Sequence, residues 1–505
     1  MHLYKQLEMN IQQVEQTFEN CGDIVKRKFP VGGHNQIWLY VTYIDGLSDR
    51  SMLEISVISK LMMGIKDIRG ADEMSHDMMQ ALIDNGITTA DLSITADFDT
   101  VNSAILSGDT ALFIDGYDKA IIISTKGWPS RGVPTTETEV VVQGSKEAFS
   151  EGFRINTMLI RRRIKDVNLK LEQMTMGRRS ETNIALMYLQ DVVRPDILRE
   201  TQKRLQNIDI DAILDCGYID QLICDDWLSP FPQTQITERP DTAAAAILEG
   251  RIVIVVDNSP CVIIVPATFD TFFQAADDYY QNWQISSVVR FLRFICGFIA
   301  LATPGLYLAM AVFHPSMLPM HLVFKMAGAR QTVPFPAVAE ILIMEAAFEL
   351  LREAGIRLPG PVGGAVGIVG GLVVGQAAVE AGIVSPIVVI IIALTGIANF
   401  AIPHYALSSG FRIAKYLMIL LSAMLGLFGF WAAMIILLVH LTTLKSFGVP
   451  YLFPFVSGDA NNYTDWKDTI FRLPLFTMRK RPFFANPDQS NRLSAHKTGN
   501  PKKKE

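Results

Sequence analysis

The spacing of apolar and polar positions divides the chain into two unlike parts. Over about 285 residues, charged and apolar positions alternate at short periods, whereas residues 358–411 run for 54 positions with one formal charge, Glu380. A membrane span needs about 20 predominantly apolar residues, and four windows meet that need. They are Phe294–Phe313, broken by Pro304-Gly305; Val362 to about Ile383; Ile387–Ile402, the shortest; and Tyr416–Leu444, which must tilt, bend or protrude. The pattern before Phe294 predicts ordinary globular structure in two halves. Gly108 to Asp115-Gly116 followed by Lys119–Ile123, and Gly250 to Asp257-Asn258 followed by Cys261–Val265, each read as strand, tight turn, strand. Ile37–Ile44, ending in Asp45-Gly46, predicts a further strand in the first half, and helices are expected over Lys146–Leu171 and Leu186–Leu205.

The predicted fold class is therefore an α/β cytosolic region of two related subdomains followed by an all-α polytopic membrane domain. The expected boundaries are 1–145, 146–288, 289–445 for the helical domain, and 446–505 for a cytoplasmic tail with a disordered end.

One apolar window carries a second pattern. Gly363, Gly367, Gly371 and Gly375 recur every fourth residue and so share one helical face. A face without side chains lets another helix approach closely. Val362, Val366, Val369 and Val373 cluster within roughly 60° on another face, and Gln376 and Glu380 extend that stripe. Around an axis of several copies the valines would form a hydrophobic constriction, with a Glu380 ring favouring cations at one mouth. Alternatively the valines face lipid and Glu380 lies at the interface. The segment 335–351 carries Glu340, Glu345 and Glu349, which are costly among lipid tails. It predicts an amphipathic helix, either lying at the interface or dipping into a bundle interior. Glu349 and Arg352 stand three residues apart, so these charges belong either to a local pair or to an ion path.

Charge and motifs narrow the function classes. A net charge of −6 and the lack of a basic patch interleaved with aromatics give no footprint for nucleic acid. Met1–Pro30 has no continuous apolar core, so no secretory signal is expected and the N-terminal region is placed in the cytoplasm. Four crossings would return the chain to that side, with Arg479-Lys480-Arg481 and Lys502–Lys504 positive inside. Arg412 and Lys415 then fall outside, against that rule. The basic run Arg154, Arg161, Arg162, Arg163, Lys165 and Lys170 reads either as a solvated helix face or as a contact for anionic headgroups or an acidic partner. Cysteines 21, 216, 224, 261 and 296 form no C-x-x-C and no zinc spacing, so they are expected as reduced thiols, and no metal or cofactor is implied. A Walker loop, an H-E-x-x-H and a G-x-S-x-G are all absent, and no catalytic residues or enzyme activity are expected.

Several stretches resemble the A subunit of the GerA-type spore germinant receptors, a family related to stage V AF sporulation proteins. They are Pro334–Glu340, Met344-Glu345, Phe348–Pro359, Val369–Gly382 and Ser446–Tyr451, with Glu151–Arg154, Asn156-Thr157, Arg161–Ile164 and Asp257–Pro260 in the cytosolic half. The resemblance implies residence in the inner membrane of the endospore as an integral protein. It implies a homo-oligomeric ring, proposed as a pentamer, that conducts monovalent cations when nutrient binds. It also implies two partners, a transporter-like B subunit holding the nutrient pocket and a lipoprotein C subunit. An accessory channel of the same fold without those partners, and a non-conducting membrane scaffold for germination proteins, are the competing functions.

Overall fold

The computed structural model describes residues 2–31, 37–59, 91–127, 134–136, 138–357, 373–456 and 465–493. These form two compact units. Among the described residues, the first takes those up to Ile223, Ile236–Pro266 and 479–493; the second takes Cys224–Gln235 and Ala267–Met478.

The first unit holds two five-stranded sheets. After helix α1 (Leu7–Thr17) come β1 (Ile24–Val31), β2 (Ile37–Ile44), β3 (Leu92–Thr95), helix α2 (Phe98–Leu106), β4 (Thr110–Ile114) and β5 (Ala120–Ile123), in spatial order β1-β2-β4-β5-β3. Helix α3 (Phe153–Arg161) leads into the second set. That set is β6 (Leu169–Met176), β7 (Thr182–Leu189), α4 (Pro195–Gln206), α5 (Cys216–Ile223), β8 (Gln235–Thr237), α6 (Pro240–Leu248), β9 (Ile252–Val256) and β10 (Val262–Val265). Its order, β6-β7-β9-β10-β8, repeats the first.

Both expected hairpins are present and antiparallel, Phe113 opposite Ala120 in one and Val255 opposite Val262 in the other. The glycine before each has the same task. Gly108 (φ 95°) and Gly250 (φ 91°) end α2 and α6 in the left-handed region. The next amide returns to a helix carbonyl, Asp109 to Ala104 and Arg251 to Ala246, both at 3.0 Å. In the first sheet, side chains alternate between two buried faces. Tyr40, Ala111, Phe113 and Ala120 pack with α1 and α2, while Leu39, Val41, Leu112 and Ile121 pack with Leu53 and Val57 on the other side.

Two predicted helices differ. Within Lys146–Leu171 only α3 is helical, and Leu169 already begins β6; within Leu186–Leu205 the start belongs to β7 and α4 begins at Pro195. A strand buried on both faces has no polar alternation to betray it, and the charges beyond Leu189 extend the helical pattern upstream. The segment 479–493, assigned by pattern to the tail, packs into the first unit. Phe484 and Ala485 are buried and the Asn486 amide donates to the Val192 carbonyl at 2.6 Å. A Cβ on Gly250 would stand 2.7 Å from the Ala485 Cα, so the strap closes on a bare backbone.

The second unit is helical. It holds α7 (Trp283–Leu308, extended by a π turn to Phe313), α8 (Met320–Arg330), α9 (Ala337–Arg357), a helical stretch at 373–380, α10 (Pro386–Phe400) and α11 (Tyr405–Thr443). Two are long and apolar enough to cross a membrane, Trp283–Phe313 and Tyr405–Thr443; α10, at 15 residues, is shorter. The longest is a hairpin rather than a rod. Gly426 has φ 61° and ψ −137°, a conformation closed to other residues at low cost. The Phe231 ring lies 6.1 Å from Phe411 and 6.0 Å from His440, residues that a straight helix would hold about 43 Å apart. The window Tyr416–Leu444 therefore bends, and its two limbs run antiparallel.

Side-chain contacts give each helix a direction. Phe273, stacked on Phe294 at 4.1 Å and 6.3 Å from Phe411, marks the near end. Phe313, against Gly426, marks the far end. Helix α7 runs near to far and α9 runs back, from Ile341 beside Leu308 to Glu349 beside Arg412. Ser385 lies at the far end again, its amide on Glu340 at 2.9 Å. Helix α10 returns to bring Asn399 to Ser408, and α11 goes out and back.

Candidate functional site

The expected pore stripe is described only in part. Val362, Gly363, Val366, Gly367, Val369 and Gly371 lie outside the described residues. Residues 373–380 are helical. At 100° per residue, Gly375 and Glu380 point to nearly opposite sides. Gly375 is buried, and a Cβ there would stand 3.2 Å from the Val389 side chain of α10. Val373, Gln376 and Glu380 are exposed, with the Gln376 amide donating to the Glu380 carboxylate at 2.9 Å. One face of this helix thus packs on α10, and the other presents valine, amide and carboxylate outward.

Three of the four glutamates of α9, Glu340, Glu345 and Glu349, face the neighbouring helices, while Glu353 is exposed. Glu340 is fully buried and accepts from the Ser385 amide at 2.9 Å and from Arg330 at 3.2 Å. Glu345, also buried, accepts from the Lys415 ammonium at 2.5 Å. Glu349 accepts from Arg412 at 3.1 Å and pairs with Arg352. The local pair between Glu349 and Arg352 is present, but Glu349 also forms, with Arg412, one rung of a ladder that joins α9 to α8 and α11. Successive rungs advance four residues along α9, Glu345 to Glu349, and retreat three along α11, Lys415 to Arg412, as antiparallel helices require.

Sequence reasoning missed these cross-helix partners while noticing both halves. Three carboxylates in 335–351 and two cations at 412 and 415 are complementary in charge and spacing. A four-crossing layout put Arg412 and Lys415 at the opposite end from where they lie. An isolated charge in a low-dielectric interior is expensive and a hydrogen-bonded pair far less so. These pairs are therefore what permits Glu345, Glu349, Arg412 and Lys415 on the facing helices α9 and α11.

The basic block of the first unit is also structural. Arg161 is buried and forks onto Asp23 with two bonds of 2.8 Å, donating a third to the Leu169 carbonyl at 2.9 Å. Arg162 and Arg163 both hold Glu147. Arg154 pairs with Asp45 at 3.2 Å. Asp23 opens the first sheet and Leu169 the second, so Arg161 ties the two halves of the unit together. Neither the solvated face nor the headgroup contact describes it.

A family model described as Bacillus/Clostridium GerA spore germination protein matches residues 12–484. Spore germination protein KA of Bacillus subtilis (strain 168) is 40% identical over 476 residues, covering 94% of this chain and 86% of that protein. The uncharacterized membrane protein YfkQ of the same strain is 39% identical over 479 residues, covering 94% and 90%. The crystal structure of the N-terminal domain of the A subunit of the Bacillus megaterium spore germinant receptor GerK3 is 32% identical. It covers 53% of this chain and 98% of that one, with a TM-score of 0.41. The match over nearly the whole length, through both the α/β and the helical units, shows that this chain belongs to the GerA family of spore germination proteins.

Proposed function

We propose that this chain is the A subunit of a spore germinant receptor and that copies of it surround an axis as a nutrient-gated channel for monovalent cations. The helical unit sits in the inner membrane of the endospore and is polytopic. Five described transits, with the return of Ser385 to the far end, make six, and an even count leaves both chain ends on one side. Placing that side in the cytoplasm puts Arg479-Lys480-Arg481 inside, in keeping with the positive-inside rule. Arg412 and Lys415 then stand towards the cytoplasmic half of the bundle, paired with acids, which removes their conflict with that rule.

The observation that carries the reading is the two-sidedness of residues 373–380. A helix that packs Gly375 on α10 and whose other face offers Val373, Gln376 and Glu380 is suited to line an axis shared with identical copies. Val362, Val366 and Val369 continue that face by periodicity. They act as the dewetting gate, and Glu380 raises cation concentration at the mouth. The nutrient pocket belongs to a transporter-like B subunit, and a lipoprotein C subunit completes the assembly. Nutrient binding shifts the population towards a state in which the valine ring is wider.

The test is potassium efflux from vesicles holding the purified chain, alone and with the products of neighbouring reading frames. Val362→Ala or Val366→Ala should raise basal efflux, and Glu380→Gln should lower cation preference. A chain that passes no ions under any of these substitutions, in either company, is a scaffold and not a channel.

A further inference from the structure

Residues 224–235 form a loop clamped to the near end of the helical unit. The Asp225 carboxylate accepts from the Phe447 amide at 2.8 Å, and the Ser446 hydroxyl donates to the Gln233 carbonyl at 2.6 Å. Ser229 Oγ and His440 Nε2 are 2.8 Å apart. The Pro230 carbonyl comes so near Gly410 that a Cβ there would stand 2.7 Å away. The Gln233 side chain braces the loop from within, accepting from the amides of Asp225 and Asp226 at 2.7 and 2.8 Å and donating to the Asp226 carbonyl at 2.6 Å. The Asp226 carboxylate turns back onto the Leu228 amide at 3.0 Å.

A loop held this firmly buries Phe231 yet points Trp227 and Leu228 outward. Trp227 is 80% exposed and Leu228 73%. Their position explains why. The second limb of α11 exposes Trp431, Ile435, Leu438 and Val439, spaced i, i+4, i+7 and i+8 along one face. That stripe ends at Val439, beside the His440 that the loop grips. Trp283 and Tyr405, exposed at the starts of α7 and α11, stand at the same end. Trp at the end of an apolar helical wall is the side chain that the boundary between headgroups and acyl chains favours, since its ring is apolar and its N–H polar.

We propose that the turn Asp226–Ser229 is a fixed interfacial anchor that seats Trp227 and Leu228 in the headgroup–acyl boundary of the bilayer. The partner is a lipid surface, and no anionic headgroup is required, since Asp225 and Asp226 precede the tryptophan with carboxylates already bound to backbone amides. The anchor sets the depth of the helical unit from outside its helices. This rests on the membrane reading above, and Trp431 gives an independent check of that reading.

The experiment uses the full chain in vesicles of phosphatidylethanolamine and phosphatidylglycerol whose acyl chains are brominated either close to the headgroup or near the bilayer centre. Tryptophan emission is compared among the unsubstituted chain, Trp227→Phe and Trp431→Phe, and the difference spectra isolate each ring. The Trp227 component should fall about twofold with shallow bromine, fall less with deep bromine and resist aqueous acrylamide. If Trp431 is quenched by lipid while Trp227 is quenched only by acrylamide, the anchor is wrong and the membrane reading stands. Shielding of Trp227 from both quenchers means that protein, such as a second copy, covers it, and also overturns the proposal. If neither ring responds to brominated lipid, the membrane reading itself fails and the anchor with it.

Discussion

One buried ion pair in each unit, Arg161 with Asp23 in the α/β unit and Lys415 with Glu345 in the helical unit, shows buried charge satisfied to different degrees. Asp23 has both oxygens on the Arg161 fork, and that guanidinium also reaches the Leu169 carbonyl. Glu345 has one oxygen on Lys415, while its other oxygen makes no hydrogen bond among the described residues. The planar fork of arginine matches a carboxylate in a way the point charge of lysine does not. A fully satisfied pair has one arrangement to favour. A half-satisfied one, between packed helices, can be exchanged at lower cost. The Arg161 pair locks two subdomains, and the Lys415 pair registers helices.

The sharpest way to break this contrast is Arg161→Ala. It strands Asp23 and also removes the bond to Leu169, so the loss should lie near the upper end of about 3–5 kcal/mol. Denaturant unfolding followed by far-ultraviolet circular dichroism would read it. A loss below about 1 kcal/mol would mean that water reaches Asp23 and that the two halves are held by apolar packing alone.

Lys415→Met should cost less, about 3 kcal/mol, since Glu345 already has a free oxygen and a smaller investment in the pair. The double variant Lys415→Met with Glu345→Leu should recover most of that loss, because an apolar pair of similar volume replaces a buried ion pair at little cost. Thermal unfolding in detergent micelles measures both. Efflux should separate the two roles: a double variant that is stable yet altered in gating identifies the rung as a register element.

Glu139 supplies a third case, a carboxylate of the α/β unit that accepts from the Thr237 hydroxyl. Burial pushes it up from 4.5 to about 7, against the opposing hydrogen bond from Thr237. The folded value is raised, so the fold favours the protonated form. Stability from this group is therefore greatest below about pH 4.5 and is lost as pH rises through 7. At roughly 1.4 kcal/mol per tenfold change in proton affinity, the loss is at most about 3 kcal/mol, and partial exposure lowers it. Glu139→Gln should flatten the decline between pH 5 and 8. An unchanged slope would assign the decline to other groups.

What could be read from sequence follows the same physics. Both hairpins were legible because Asp115-Gly116 and Asp257-Asn258 need left-handed or turn conformations that few residues supply. Strand β7 was not, because burial on both faces leaves no period to read. The bend at Gly426 was hidden in 29 uncharged residues, where one more glycine among Leu, Phe and Met carries no distinguishing signal. Of the candidate site, the spacing of Gly375 against Gln376 and Glu380 was visible from helical geometry. The pairing of Glu345 with Lys415 spans 70 positions, and only the direction of each helix brings them together.

The smallest effect on stability should come from Glu380→Gln, and that makes it the most discriminating substitution for function. Glu380 is exposed and its contact with Gln376 is of the i, i+4 type, worth a few tenths of a kcal/mol. Unlike Asp23 or Glu345, it strands no buried partner when neutralised, so the unfolding midpoint should not move measurably. Any change in cation preference is then attributable to the charge itself. If the carboxylate lines a mouth shared by several copies, each copy loses one charge and the effect multiplies around the ring, weakening as added salt screens the site. A variant with unchanged stability and unchanged cation preference at low salt would place Glu380 at the lipid interface, and the outward face of residues 373–380 would then be a boundary with the bilayer rather than with water.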